Sequence, residues 1–83
     1  MNKNQVYRFF GKFEFEHTCK AIYRGIDKDT GFMIFDDLRY NTDIEAGKAE
    51  GKTIDQIPVI RKRVFINIPT ITEIIELGND WFC

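Results

Sequence analysis

The stretch Asp27-Lys28-Asp29-Thr30-Gly31-Phe32-Met33-Ile34-Phe35-Asp36 decides how this chain is read. Its first five residues are types that cap, turn or accept positive φ, and an unbroken apolar run follows at once. That order predicts a hairpin turn feeding a strand from Phe32 to Leu38, buried on both faces at its start and leaving to solvent at Asp36-Asp37. Upstream, Cys19 to Ile26 reads as the partner strand. Gly25 near its end marks a place where a sharply bent sheet tolerates close backbone approach.

Working outward, Phe13-Glu14-Phe15-Glu16 alternates strictly and is expected to be the first, half-buried strand, with its rings on one side and its carboxylates on the other. Residues Val59 to Ile68 form the fourth: Ile60, Lys62, Val64, Ile66 and Ile68 share one face, and Arg61, Arg63, Phe65 and Asn67 the other. Pro69-Thr70 interrupts the pattern, because proline lacks an N–H and fixes φ. The fifth strand is Ile71 to Leu77, although Thr70 and Glu73 also have the spacing of a capping box, which leaves a short helix as the alternative. Trp81-Phe82 is expected to pack back onto the barrel. Between the third and fourth strands lies a long polar connection, Asn41 to Pro58. It has room for a turn of helix near Ile44 to Glu50, which Gly47 weakens by about 1 kcal/mol relative to alanine. The expectation is therefore all-β: a small, five-stranded, strongly bent antiparallel barrel with a long connection between strands three and four.

With 83 residues the chain is a single domain, residues 1–83, since two halves of that size could not each bury a core. Two cysteines, Cys19 and Cys83, and the lone His17 supply neither a CxxC pair nor four zinc ligands, so no metal and no cofactor are expected. Both thiols are read as free, which fits a reducing cytoplasm. No apolar run approaches the roughly 20 residues needed to span a bilayer, and no membrane role is expected. Twelve Lys and Arg against thirteen Asp and Glu give a net charge of -1, so affinity for nucleic acid has to be local. Catalysis is not expected either. Glu14 and Glu16 alternate onto a solvent face, His17 with Cys19 lacks an orienting third group, and Lys28 lies in no phosphate-loop frame.

The stretch from Asp27 to Asp36 resembles the first motif of the Sm/LSm (Hfq-like) family of small ring-forming RNA-binding proteins: a turn opened by Asp, then an apolar triplet and a carboxylate. Val64-Phe65-Ile66-Asn67-Ile68-Pro69-Thr70-Ile71-Thr72-Glu73-Ile74 is similar to the second motif, and Gly11-Lys12 to the opening of the family's first strand. The resemblance implies a homo-oligomeric ring of about five to seven copies, closed by pairing the fourth strand of one with the fifth of the next. Val64, Ile66, Ile71 and Ile75 are then the candidate interface. It also implies a site for single-stranded RNA at the turns carrying Asp27, Lys28, Asp29, Gly31 and Asn67. Two departures bear on that site: Asp29 stands where the family places its base-stacking aromatic, and Gly31 where it places its base-reading Asn. Asn67-Ile68 replaces Arg-Gly.

From the residues alone the better basic candidate is Arg61-Lys62-Arg63, with Arg39 and Tyr40 nearby, where a cation beside an aromatic could stack and neutralise phosphate together. The expected function is a non-enzymatic, RNA-binding ring with a role in RNA processing or regulation. The alternatives are a ring that presents a surface to protein partners without RNA, and a monomeric barrel acting as adaptor or inhibitor.

Overall fold

The computed structural model describes residues 1–12 and 17–83. Strands β1 (Val6–Gly11), β2 (Cys19–Ile26) and β3 (Met33–Tyr40) are followed by helix α1 (Asn41–Ala49), then by β4 (Arg61–Ile66) and β5 (Ile71–Gly78). Single 3-10 turns sit at Ile54–Gln56 and Ile68–Thr70. All ladders are antiparallel, and the strands form one five-stranded sheet in the order β4-β3-β2-β1-β5. The all-β expectation and the long connection after β3 hold.

One face of the sheet folds over a core of Tyr7, Phe9, Cys19, Ala21, Tyr23, Met33, Phe35, Leu38 and Ile66. Its centre is the stack of Phe9 on Phe35, ring centroids 4.5 Å apart, and both rings are fully buried. Such a pair adds about 0.5–1.5 kcal/mol beyond the area it removes from water. Two irregularities between β2 and β3 bend the sheet around this stack. At the first, Asp37 takes positive φ (55°) and absorbs one residue, so that Leu38 returns to the core face that Phe35 occupies. A regular strand would have pointed Leu38 outward. At the second, Gly25 has φ 115°, a conformation open to glycine at little cost, and the Lys3 side chain crosses where a Cβ would stand.

The sequence reading of the first strand is corrected. Val6–Gly11 is the strand that pairs with both β2 and β5, so Gly11 ends it and does not open it. The alternation Tyr7, Phe9 inward against Arg8, Phe10 outward was present but lay ahead of the expected start. The expected strand Phe13 to Glu16 lies outside the described residues. Strand β4 is shorter than Val59 to Ile68, and its entry is held by the Ile60 amide donating to the Leu38 carbonyl at 2.8 Å. Residues 71–78 are strand, not helix: the Thr70 hydroxyl donates back to the Asn67 carbonyl at 2.7 Å, so it does not cap a following helix.

Helix α1 begins three residues earlier than the expected turn of helix. Asp43 in its first turn and Lys48 in its last match the helix dipole. Ile44 and Gly47 face inward, and the Ile57 side chain lies against Gly47.

Where β1 meets the start of β5 the backbones approach so closely that a Cβ on Gly11 would overlap the Thr70 carbonyl and stand 2.7 Å from the Ile71 Cα. Lys12 N–H donates to that same carbonyl at 2.6 Å. Because backbone cannot yield as a side chain does, Gly11→Ala is expected to cost about 1–3 kcal/mol, the range for overpacking, as measured by urea unfolding. An unchanged midpoint would contradict this close crossing.

Candidate functional site

The turn from Asp27 to Gly31 is built by its own residues. One carboxylate oxygen of Asp27 accepts from the Thr30 amide (3.1 Å) and the Thr30 hydroxyl (2.7 Å), and the Gly31 amide donates to the Asp27 carbonyl at 2.8 Å. Lys28 and Asp29 are left exposed at the tip. Because Ile66 pairs with Met33, Asn67 lies at the same end of the sheet as this turn. The Asn67 carbonyl accepts from both the amide and the hydroxyl of Thr70. The turn residues thus lie at one end of the sheet, but Asp27 is engaged in shaping the turn and Lys28 is the only cation among those five.

The basic candidates separate. Strand alternation puts Tyr40 on the core side, opposite Cys19, and Arg39 on the other, opposite Lys20. The two side chains therefore do not act together. Arg39 is 7% exposed: its Nε donates to the Ile57 carbonyl at 3.1 Å, and its guanidinium lies 4.7 Å from the centre of the Trp81 ring. Tyr40 instead meets the His17 ring, centroids 4.5 Å apart. Arg61 is exposed, with Nη1 donating to the Ile60 carbonyl. Arg63 forms a two-pronged ion pair with Asp36, Nε to Oδ1 at 2.6 Å and Nη2 to Oδ2 at 2.9 Å.

Arg24 completes that cluster from the other flank, Nε to Asp36 Oδ2 at 2.9 Å and Nη1 to Asn4 Oδ1 at 2.6 Å. Asp36 thus sits on β3 between an arginine on β2 and one on β4. Lys62 and Asp37 line the same shallow surface, which carries three cations against two carboxylates. By alternation Phe65, 51% exposed, shares a face with Arg63. Arg24, Asp36 and Phe65 were not singled out from sequence as binding residues, since their meeting with Lys62 and Arg63 depends on strand register.

Of the expected interface residues, Ile66 belongs to the core and Val64 and Ile71 pack against it, whereas Ile75 is 49% exposed. The other large exposed side chains near the two ends of the sheet are Phe65 and Ile68 on one side and Phe10 and Ile74 on the other. An open groove of about 510 Å³ runs along β1 and β5 past Arg8, Phe10, Thr72, Glu73 and Ile75. The rejected pair His17 and Cys19 meets only through the Cys19 thiol donating to the His17 carbonyl, and burial pushes that thiol up to about 12. It is a protonated core side chain and not a nucleophile. Among the described residues no helix is long and apolar enough to cross a membrane. Comparisons with protein-family models, curated proteins and solved structures find no match for this chain.

The hydrogen bonds from Arg63, with a smaller contribution from Arg24, hold the Asp36 carboxyl at about 2, below its ordinary 3.8, against burial that works the other way. The folded value is the lower one, so the stabilisation is complete above about pH 4 and is lost as the pH falls through 2. Acid unfolding followed by circular dichroism should therefore show a stability loss between pH 4 and 2 that is shallower in Asp36→Asn; identical slopes would contradict the cluster.

Proposed function

We propose that this chain is a non-enzymatic, Sm-like assembly module that joins copies of itself head to tail through the outward edges of β4 and β5. The observation that carries this reading is the strand order β4-β3-β2-β1-β5, in which each of those strands has a partner on one side only among the described residues. An open strand edge is a row of unpaired donors and acceptors that recruits another strand. The two edges differ, so their pairing is heterologous and closes into a ring or continues as a filament. Their side chains are complementary: β4 opens with Arg61, Lys62 and Arg63, whereas β5 carries Glu73 and Glu76. Exposed apolar side chains flank both edges, Phe65 and Ile68 on one and Ile74 and Ile75 on the other. This favours strand addition stabilised by buried apolar area and steered by charge.

A second reading, that the assembled copies bind single-stranded RNA, is favoured by the outward face of β4. There Arg63 and the exposed ring of Phe65 share a face by alternation, and Arg24 and Lys62 line the surface around Arg63. Unpaired bases stack on aromatic rings and their phosphates need cations, and repetition around an assembly would multiply weak contacts. The acidic Asp27 to Gly31 turn supports this reading less.

Multi-angle light scattering at micromolar concentration should give a multiple of the 9.8 kDa chain mass, and Ile75→Glu, an exposed position, should return it to one chain. A wild-type mass of one chain across that range would overturn the assembly reading. Titration of the intact oligomer with U-rich and A-rich oligonucleotides should give salt-dependent binding that Lys62→Ala weakens roughly uniformly for both. Absence of binding at low salt would remove the RNA reading and leave the assembly reading standing.

A further inference from the structure

On the sheet face away from the core, register places Arg8 opposite Lys20 and Lys20 opposite Arg39, a row of three cations across β1, β2 and β3. Like charges directly opposite on neighbouring strands repel. Two of the three are also removed from water, Lys20 at 2% and Arg39 at 7% exposure. Neither makes an ion pair with an Asp or Glu side chain among the described residues, although Asp37 and Asp55 favour the charged form of Arg39 through space; their hydrogen-bond partners are main-chain oxygens. Lys20 Nζ donates to the carbonyls of Trp81 (2.8 Å) and Cys83 (3.2 Å), and Arg39 to those of Ile57 and Asp37. Burial lowers the pKa of both cations, and Arg8 lowers that of Lys20 further, while Glu45, Asp80 and Cys83 favour its charged form through space.

Residues 79–83, after the end of β5, lie over Lys20 and Arg39. Cations hold this segment: Lys20 to Trp81 and Cys83, Lys48 Nζ to the Phe82 carbonyl at 3.0 Å, and the Arg39 guanidinium over the Trp81 ring. Its own hydrogen bonds are few, the shortest being the Phe82 amide to Asp80 Oδ1 at 2.9 Å. The Trp81 and Phe82 carbonyls it offers are neutral acceptors that a phosphate oxygen would replace with a charge-assisted bond. Stability alone would favour apolar residues in the row, since buried cations with no Asp or Glu side chain paired directly to them are costly.

We infer that Arg8, Lys20 and Arg39 form an oligophosphate site and that residues 79–83 are a displaceable strap covering it. Strands lie roughly 4.8 Å apart, so three side chains in a row present charge along about 10 Å, which suits a chain of phosphates better than a single anion. The guanidiniums of Arg8 and Arg39 suit paired oxygens, and Lys20 supplies a point charge between them. Arg8 already opens onto the groove beside β5, from which a ligand would enter. The three cations lie on β1, β2 and β3 and not on the edge strands that carry the assembly, though Ile75 of β5 lines the groove of entry; triphosphate binding and the mass in solution are therefore read separately.

The chain has one tryptophan, so Trp81 emission reports the strap directly. Titration of the full chain with inorganic triphosphate at fixed ionic strength should give a saturable change in that emission. Amide shifts in the heteronuclear spectrum should centre on residues 8, 20, 39 and 79–83. Lys20→Met, which removes a buried cation, should fold and bind at least tenfold more weakly. A nucleoside triphosphate binding as tightly as triphosphate would assign the phosphate chain alone, and one binding more tightly would assign a nucleotide carrying it. Unchanged emission, amide shifts centred instead on Lys28 or Arg63, or wild-type affinity in folded Lys20→Met would overturn the site. If Lys20→Met does not fold, the wild-type amide map decides.

Discussion

An antiparallel sheet of five short strands has to close on itself or leave two rows of backbone donors and acceptors open, and in this chain β4 and β5 do not pair with each other. Its ladders run β4-β3-β2-β1-β5, and the 3-10 turn at Ile68–Thr70 carries the chain between the two edge strands without pairing them. The bend that brings the ends of the sheet round is fixed inside β2 and β3, at Gly25 and Asp37, and the Phe9 and Phe35 rings fill the space it encloses. The close crossing of Gly11 and Thr70 then ties β1 to the turn between the edges. The core, the bend and the open edges are thus one consequence of sheet geometry, and the proposed self-assembly rests on the part of that geometry the single chain leaves unsatisfied.

The two faces of the sheet divide the chemistry. Toward the core the side chains are aromatic or aliphatic, and the Cys19 thiol is held protonated there. Away from it the sheet carries arginines, lysines and one well-placed carboxylate. Asp36 neutralises part of that charge between Arg24 and Arg63. Across β1 to β3 no Asp or Glu side chain among the described residues pairs with Lys20 or Arg39, and main-chain oxygens take its place. The net charge of -1 conceals this separation.

Much of the fold was legible because local signals agreed. The turn residues from Asp27 to Gly31, the apolar run that follows and the proline at position 69 place β3, the β2–β3 turn and the turn before β5. The start of the sheet was not, because the alternation in Val6 to Gly11 is interrupted by adjacent Phe9 and Phe10, while Phe13 to Glu16 offers a cleaner period. Site residues were harder. Arg39 and Tyr40 are neighbours in sequence and therefore point to opposite faces, a rule of strand geometry that their proximity obscures. Arg24, Asp36 and Arg63 come from three strands, and Arg8, Lys20 and Arg39 from another set of three. Nothing local marks either group, and only register, set partly by the bulge at Asp37, brings them together.

The central claim is that the outward amides of β4 and β5 find their partners on other copies of the chain. Hydrogen exchange resolved to single residues tests it most directly, with the amides of Arg61–Ile66 and Ile71–Gly78 followed as the protein is diluted. The account predicts that the amides pointing away from β3 and β1 are protected at high concentration and lose protection together on dilution, while Phe9 and Phe35 stay protected. Edge amides that exchange freely at every concentration would contradict it.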